Sequence, residues 1–349
     1  MKIAQLIHQI SKGFILLLFL FLVCISANAE SKKDTLVYRA WRDTVRLQKA
    51  QIVKLEPGNS ALYFRPKPFQ FAKNVPLDLY QLGKTTFSKK SLPALGAILV
   101  STVVLVAVDQ HITDAAQQFG RYIHLSPTHA FHRIEVFKLP FLDVPGNLNA
   151  TFYFMGEGWP SILIAGGFYG YGLATHDYRA LQTTSQLAEM FFTLAITTQV
   201  LKRVSGRESP FKAMEAPGGV PGGTWHLFPS PSHYQSSVSN HDAFPSGHMA
   251  TVMATITILA GNYPDNKYIK PVGYTLMGLM GYAMLNNGVH WISDYPLAIA
   301  IGYTCGKIAL SRGRQIIPNI GGSDHGATSS LTPAYLGEGG IGLRYQATF

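Results

Sequence analysis

The chain has 349 residues, 47% hydrophobic and 14% charged, with a net charge of +10 and a mean hydropathy of +0.12. That composition is more apolar than an ordinary soluble domain and less so than a bundle embedded wholly in lipid. A membrane-associated helical protein and a compact periplasmic one both fit it.

Lys2 and Lys12 precede an uninterrupted apolar run, Phe14 to Ile25, and Ala27-Asn28-Ala29 places small residues where a signal peptidase reads. Residues 1–29 are therefore expected to be a cleaved export signal, because so short a run spans a bilayer poorly. Cleavage would leave 27 basic against 19 acidic residues, a net charge of +8. Cys24 would leave with the signal, so Cys305 would have no partner for an intramolecular disulfide. Residues 30–90 then hold 13 Lys or Arg against 5 Asp or Glu and read as a basic N-terminal arm. Its aromatic residues Tyr38, Trp41, Tyr63 and Phe64 fit nucleic acid in principle, but an exported protein rarely meets any. An anionic membrane surface and plain solvation are the two readings kept.

Six uncharged segments of helical length follow: Leu92–Val108, Trp159–Ala174, Leu187–Leu201 broken by Glu189, Ala243–Tyr263, Pro271–Val289 and Tyr295–Gly306. None alternates with period two, so the expected fold class is all-α: a helical bundle of about six core helices over residues 91–314, with the active site at the helix ends. Only the fourth and fifth reach the roughly eighteen residues of a clear membrane span. A Gly/Pro/Ser-rich loop from Ser205 to Asp242 separates the third and fourth segments, and a loop of that length between packed helices is often functional. Residues 315–349 read as a Gly/Ser-rich linker and a C-terminal tail, for which a terminal strand and a disordered end both fit.

Three polar clusters flank the last four segments. LKRVSGRESP supplies Lys202, Arg203, Arg207 and Pro210; Pro245-Ser246-Gly247-His248 opens the fourth segment; GVHWISD sets His290 and Asp294 four residues apart. Together they are the parts for cleaving a phosphate ester. A phosphoryl transition state needs fixed cations, which Lys202 and Arg207 provide. Ser246 and the backbone N–H groups of Gly247 and His248, at a helix start, form an oxyanion cradle. His290 suits the nucleophile, with Asp294 holding its far nitrogen protonated, and His248 suits the acid for the leaving alkoxide.

These clusters resemble the type 2 phosphatidic acid phosphatase and vanadium-dependent haloperoxidase superfamily, whose pattern reads K-x6-R-P, P-S-G-H and S-R-x5-H-x3-D. The likeness covers roughly residues 90–312. It implies that Lys202, Ser246 and Gly247 bind phosphate, that His248 is the acid, and that His290 is the nucleophile oriented by Asp294, with no metal or other cofactor. Two positions depart from the pattern. Ser209 stands where the first arginine belongs, though Pro210 follows, and Ala283-Met284 replace Ser-Arg. Arg207 is the expected substitute for the first arginine, and Asn286 and Asn287 are neutral donors near the second. The expected function is an exported, cell-envelope phosphatase acting on phosphate monoesters or diphosphates of lipids at a membrane surface, without nucleic acid. The alternative is a weakened or lapsed member that binds phosphate-bearing lipids; haloperoxidase chemistry is a third reading.

Overall fold

The computed structural model describes residues 34–41, 44–55, 59–128, 130–136, 139–215, 219–318, 328–335 and 341–348. The expected signal and most of the Gly/Ser linker lie outside the described residues. In chain order, strands β1 (Asp34–Trp41), β2 (Thr44–Leu55) and β3 (Asn59–Phe64) come first. Helices α1 (Gln70–Thr86), α2 (Leu92–Val106) and α3 (Asp109–Tyr122) lead to the hairpin β4 (Phe131–Val136) and β5 (Leu139–Pro145). Next are α4 (Leu148–Phe154), α5 (Trp159–Ala174), α6 (Tyr178–Ser205), α7 (Pro210–Glu215) and α8 (Pro231–Ser236). Helices α9 (Gly247–Asn262), α10 (Ile269–Asn286) and α11 (Tyr295–Ser311) precede β6 (Arg314–Pro318) and the hairpin β7 (Thr328–Tyr335) and β8 (Ile341–Thr348).

Every apolar segment marked in the sequence lies largely in a helix, and local chemistry sets the ends. Proline occupies the first turn of α2, α5 and α11, where its missing N–H removes no helical bond. Asp177 caps α6 and Ser246 caps α9, accepting from the N–H of Ala180 and Met249 respectively. Helix α6 stops at Gly206, which has φ +53 and whose Cβ, were there one, would stand 1.8 Å from the His226 carbonyl oxygen. Only glycine fits that turn.

The helical-bundle expectation is borne out. Helices α5, α6, α9, α10 and α11 share one apolar core that includes Phe168, Met190, Ile258, Met280 and Cys305. Helices α9 and α11 meet closely because small residues face each other. A Cβ on Gly302 would lie 2.2 Å from the Ala250 carbonyl oxygen. Such proximity multiplies dispersion contacts along the seam.

Strands β1, β2, β3 and β6 form an antiparallel sheet in that order, an addition that the reading of residues 30–90 as an arm did not anticipate. Much of that segment is fitted to the bundle. The Tyr63 hydroxyl donates to Asn262 Oδ1 at 3.2 Å, and Gln51 accepts from the Tyr178 N–H at 2.9 Å. Asp78 of α1 pairs with Arg312 at 2.6 Å. Strand β3 is buried at nearly every position, so NSALYF carries no alternation by which to recognise it. No single described helix is long and apolar enough to cross a membrane; α2 and α3 together are, but bent by 66°.

Candidate active site

The site forms where the C-terminal end of α6, the N-terminal end of α9 and the turn before α11 converge. Ser246 is fully buried at the cap of α9, and its Oγ lies 3.8 Å from Met284 Sδ. A Cβ on Gly247 would meet nothing within 4 Å, so open space adjoins the first turn of α9. This is the place where backbone N–H groups and the helix dipole favour an anion. The His248 ring packs on Tyr153 with centroids 4.4 Å apart and faces His290 at 5.8 Å. Gly156 makes room for it: a Cβ there would stand 2.4 Å from His248 Cβ and 2.6 Å from Met280 Sδ.

His290 is buried, and its Nδ1 lies 2.8 Å from the Ala243 carbonyl oxygen and 3.3 Å from Asp294 Oδ2. Both partners only accept, so Nδ1 carries the hydrogen and Nε2 of the neutral ring is left with its lone pair. The four-residue spacing of His290 and Asp294 is that of one helical turn. In fact Asp294 ends a short 3-10 turn, Ile292–Asp294, just before α11, while His290 precedes that turn, and Asp294 Oδ2 also accepts from the Trp291 N–H at 2.8 Å. The pair meets because that turn closes tightly, although no α-helix carries both residues.

Lys202, in the last turn of α6, is largely buried and has its Nζ 3.5 Å from Asp242 Oδ2. Arg207 goes elsewhere than expected. Its guanidinium has no solvent exposure and holds Asp294 Oδ1 and Asp109 Oδ2, each at 2.6 Å. It also donates to Ser293 Oγ at 2.6 Å and to the Gly222 carbonyl at 2.9 Å. Its charge is thus spent on two carboxylates instead of facing the space beside Ser246. Ser209 donates its hydroxyl to the Ser239 carbonyl at 2.9 Å, and Met284 lies in the main core with no exposure. Asn286 donates to Asn149 Oδ1 at 3.0 Å, while Asn287 Oδ1 accepts from the Val289 N–H.

Ser246, Gly247, His248, His290 and Asp294 are therefore brought together; Lys202 meets Asp242, the neighbour of the Ala243 whose carbonyl holds His290, and Arg207 joins only through Asp294. Sequence reasoning missed Asp109, Tyr153, Glu157, Asp242 and Ser293. Asp109 stands at the edge of an apolar run, a faint signal; the others have none. Burial, with the Asp143 charge second, pushes the Glu157 carboxyl up to about 7, and burial raises the Tyr153 hydroxyl well above its ordinary range. Among the described residues no group of three His, Cys, Asp or Glu side chains is suited to a metal ion.

Residues 183–315 match the family model of the PAP2 superfamily, a span that includes Lys202, Ser246, His248, His290 and Asp294 but not Asp109, Tyr153 or Glu157. Among solved structures, one similar chain is a transmembrane PAP2 type phosphatidylglycerolphosphate phosphatase from Bacillus subtilis. It is 13% identical, with a TM-score of 0.33, over 69% of this chain and 94% of that one. No curated protein matches.

Proposed function

We propose that this chain, whose residues 183–315 match the PAP2 superfamily, hydrolyses phosphate monoesters or diphosphates of lipids through a phosphohistidine on His290. The observation that carries the reading is the His290 ring, whose Nδ1–H is anchored on Ala243 and Asp294 while its other nitrogen remains a nucleophile. Nε2 attacks phosphorus in line with the ester oxygen. The P–O bond breaks, and the departing oxygen takes a proton from the His248 imidazolium. Water then attacks the phosphoryl group and passes a proton to His248. The P–N bond breaks, releasing inorganic phosphate and restoring His290. Lys202 and the N–H groups at the start of α9 offset the charge on the phosphoryl oxygens.

A lipid substrate suits the apolar surface that three of the helices expose. Val100, Val103 and Val104 of α2, Ile162 and Tyr169 of α5, and Phe192 and Val200 of α6 are all exposed. Apolar surface on that scale marks contact with a membrane or another apolar partner. Action in the cell envelope after export follows from the expected signal at residues 1–29. The test is phosphate release from phosphatidic acid, a prenyl diphosphate and a soluble phosphomonoester, together with trapping of an acid-labile, alkali-stable phosphoprotein. His290→Ala abolishes both. A parent chain inactive on all three substrates refutes the reading.

Ser209, Met284 and the engaged Arg207 favour a second reading, a lapsed enzyme that retains lipid-phosphate binding. In that case binding survives His290→Ala, and the parent has no turnover.

A further inference from the structure

The site's buried charges extend beyond the His290–Asp294 pair, and the residue that ends the chain of contacts comes from outside the family match. Asp109 opens α3, at the bend where α2 and α3 diverge by 66°. It has no solvent exposure and accepts three hydrogen bonds: Oδ1 from the Ser293 N–H at 3.0 Å, and Oδ2 from the Ser293 hydroxyl and from Arg207 at 2.6 Å. Arg207 carries the connection onward, through its other terminal nitrogen, to Asp294 Oδ1 at 2.6 Å. Asp294 Oδ2 then meets His290 Nδ1 at 3.3 Å. Asp109 thereby grips the Ser293 backbone in the very turn that carries Asp294.

Charge gives this arrangement its meaning. Arg207 alone against Asp294 would make a neutral pair, and Asp294 would then do little to stabilise positive charge on His290. Adding Asp109 leaves two carboxylates around one guanidinium, a buried cluster with one net negative charge. A phosphorylated imidazole that still holds its Nδ1 hydrogen is cationic, so that remaining charge acts on the intermediate and on the transition state leading to it. In so buried a surround such a charge is screened little.

We propose that Asp109 is a positioning residue for the reaction, acting through Arg207 and Asp294 to keep the nucleophile's buried surroundings negatively charged and the Ser293–Asp294 turn in place. The proposal rests on the phosphohistidine reading above. Its test is steady-state kinetics with a soluble phosphomonoester on the full chain, with kcat expressed per folded molecule and folding verified by circular dichroism. Asp109→Asn, nearly the same size but uncharged, is expected to lower kcat at least tenfold with KM within twofold of the parent. The double variant Asp109→Asn/Arg207→Met deletes one charge of each sign and leaves Asp294 as the remaining anion. It is expected to recover at least fivefold of the lost kcat, whereas a merely structural role makes the double variant worse than the single one. A single variant within twofold of the parent overturns the proposal, as does a folded double variant with less activity than the single. Should Asp109→Asn not fold, the double variant is read against the parent, and a folded chain with kcat reduced more than a hundredfold overturns it. A parent without turnover on this ester, on phosphatidic acid and on a prenyl diphosphate sinks the phosphatase reading and this proposal together, and where only a lipid substrate is turned over the same comparison is made with it; a parent that turns over while Asp109→Asn matches it sinks the proposal alone.

Discussion

Restoring an arginine at Met284 asks whether that position still faces the phosphate. Met284 has no exposure, and its Sδ stands 3.8 Å from Ser246 Oγ, beside the open space at the first turn of α9. The nearby buried cation, Arg207, already holds both nearby carboxylates, Asp109 and Asp294. A new guanidinium there has no anionic partner until a phosphate arrives. Overpacking costs about 1–3 kcal/mol, and an unpaired buried charge adds about 2 kcal/mol or more. Met284→Arg is thus expected to lose about 3–5 kcal/mol, a fall in Tm of roughly 6–20 °C for a domain of this size. Orthophosphate or orthovanadate supplies the missing anion. At a hundredfold excess over Kd it returns about 2.7 kcal/mol, so the anion should raise the variant's Tm by several degrees more than the parent's. Phosphatase activity measured at saturating substrate should rise in parallel, since a bidentate cation again meets transition-state charge. The assay is thermal unfolding of parent and variant with and without each anion, beside kcat. If the variant melts within 2 °C of the parent in plain buffer, or if both respond equally to the anions, position 284 does not face the phosphate and the argument fails.

Arg207→Ala leaves Asp109 and Asp294 buried without their shared cation, so it is expected to cost about 3–5 kcal/mol, read as a large drop in Tm. Lys202→Ala, whose partner Asp242 is partly exposed at 3.5 Å, should change stability by less than about 1 kcal/mol while reducing kcat/KM at least a hundredfold. Equal Tm losses for the two would contradict the different roles given to them. Glu157 sits near 7 against an ordinary 4.5, so between those values the unfolded chain ionises first and folded stability declines as pH rises; Glu157→Gln should flatten that decline between pH 5 and pH 8 in melting experiments. His241 is shifted the other way, lowered from 6.5 by burial and by His226 and His233, so stability should fall as pH drops below about 6.5. His241→Phe should remove that fall.

The core helices were legible because burial on a helix repeats along the chain itself: Trp159–Ala174 is the same span in sequence and structure, most other apolar runs shift by a few residues at their ends, and Leu187–Leu201 is part of the longer helix Tyr178–Ser205. The cap of α9 was equally local, since Ser246 reaches a backbone N–H three residues on. His290 and Asp294 were paired correctly by spacing, although a 3-10 turn rather than an α-helix brings them together. What sequence could not supply was the partner of any charge across a long chain separation. Arg207 meets Asp109 from 98 residues away and Asp294 from 87, and no periodicity or spacing encodes such a meeting. The same limit hid strands β2 and β3: Ala50 and Gln51, and every residue from Ser60 to Phe64, are buried at successive positions, which erases the alternation that betrays a strand. Apolar pattern and caps are properties of neighbours along the chain, so the sequence determined the core helices and brought Ser246, His248, His290 and Asp294 into view as candidates. Which cation serves the substrate and which is consumed by buried carboxylates depends on competition among distant groups for the same charge, and only the packed structure decides that.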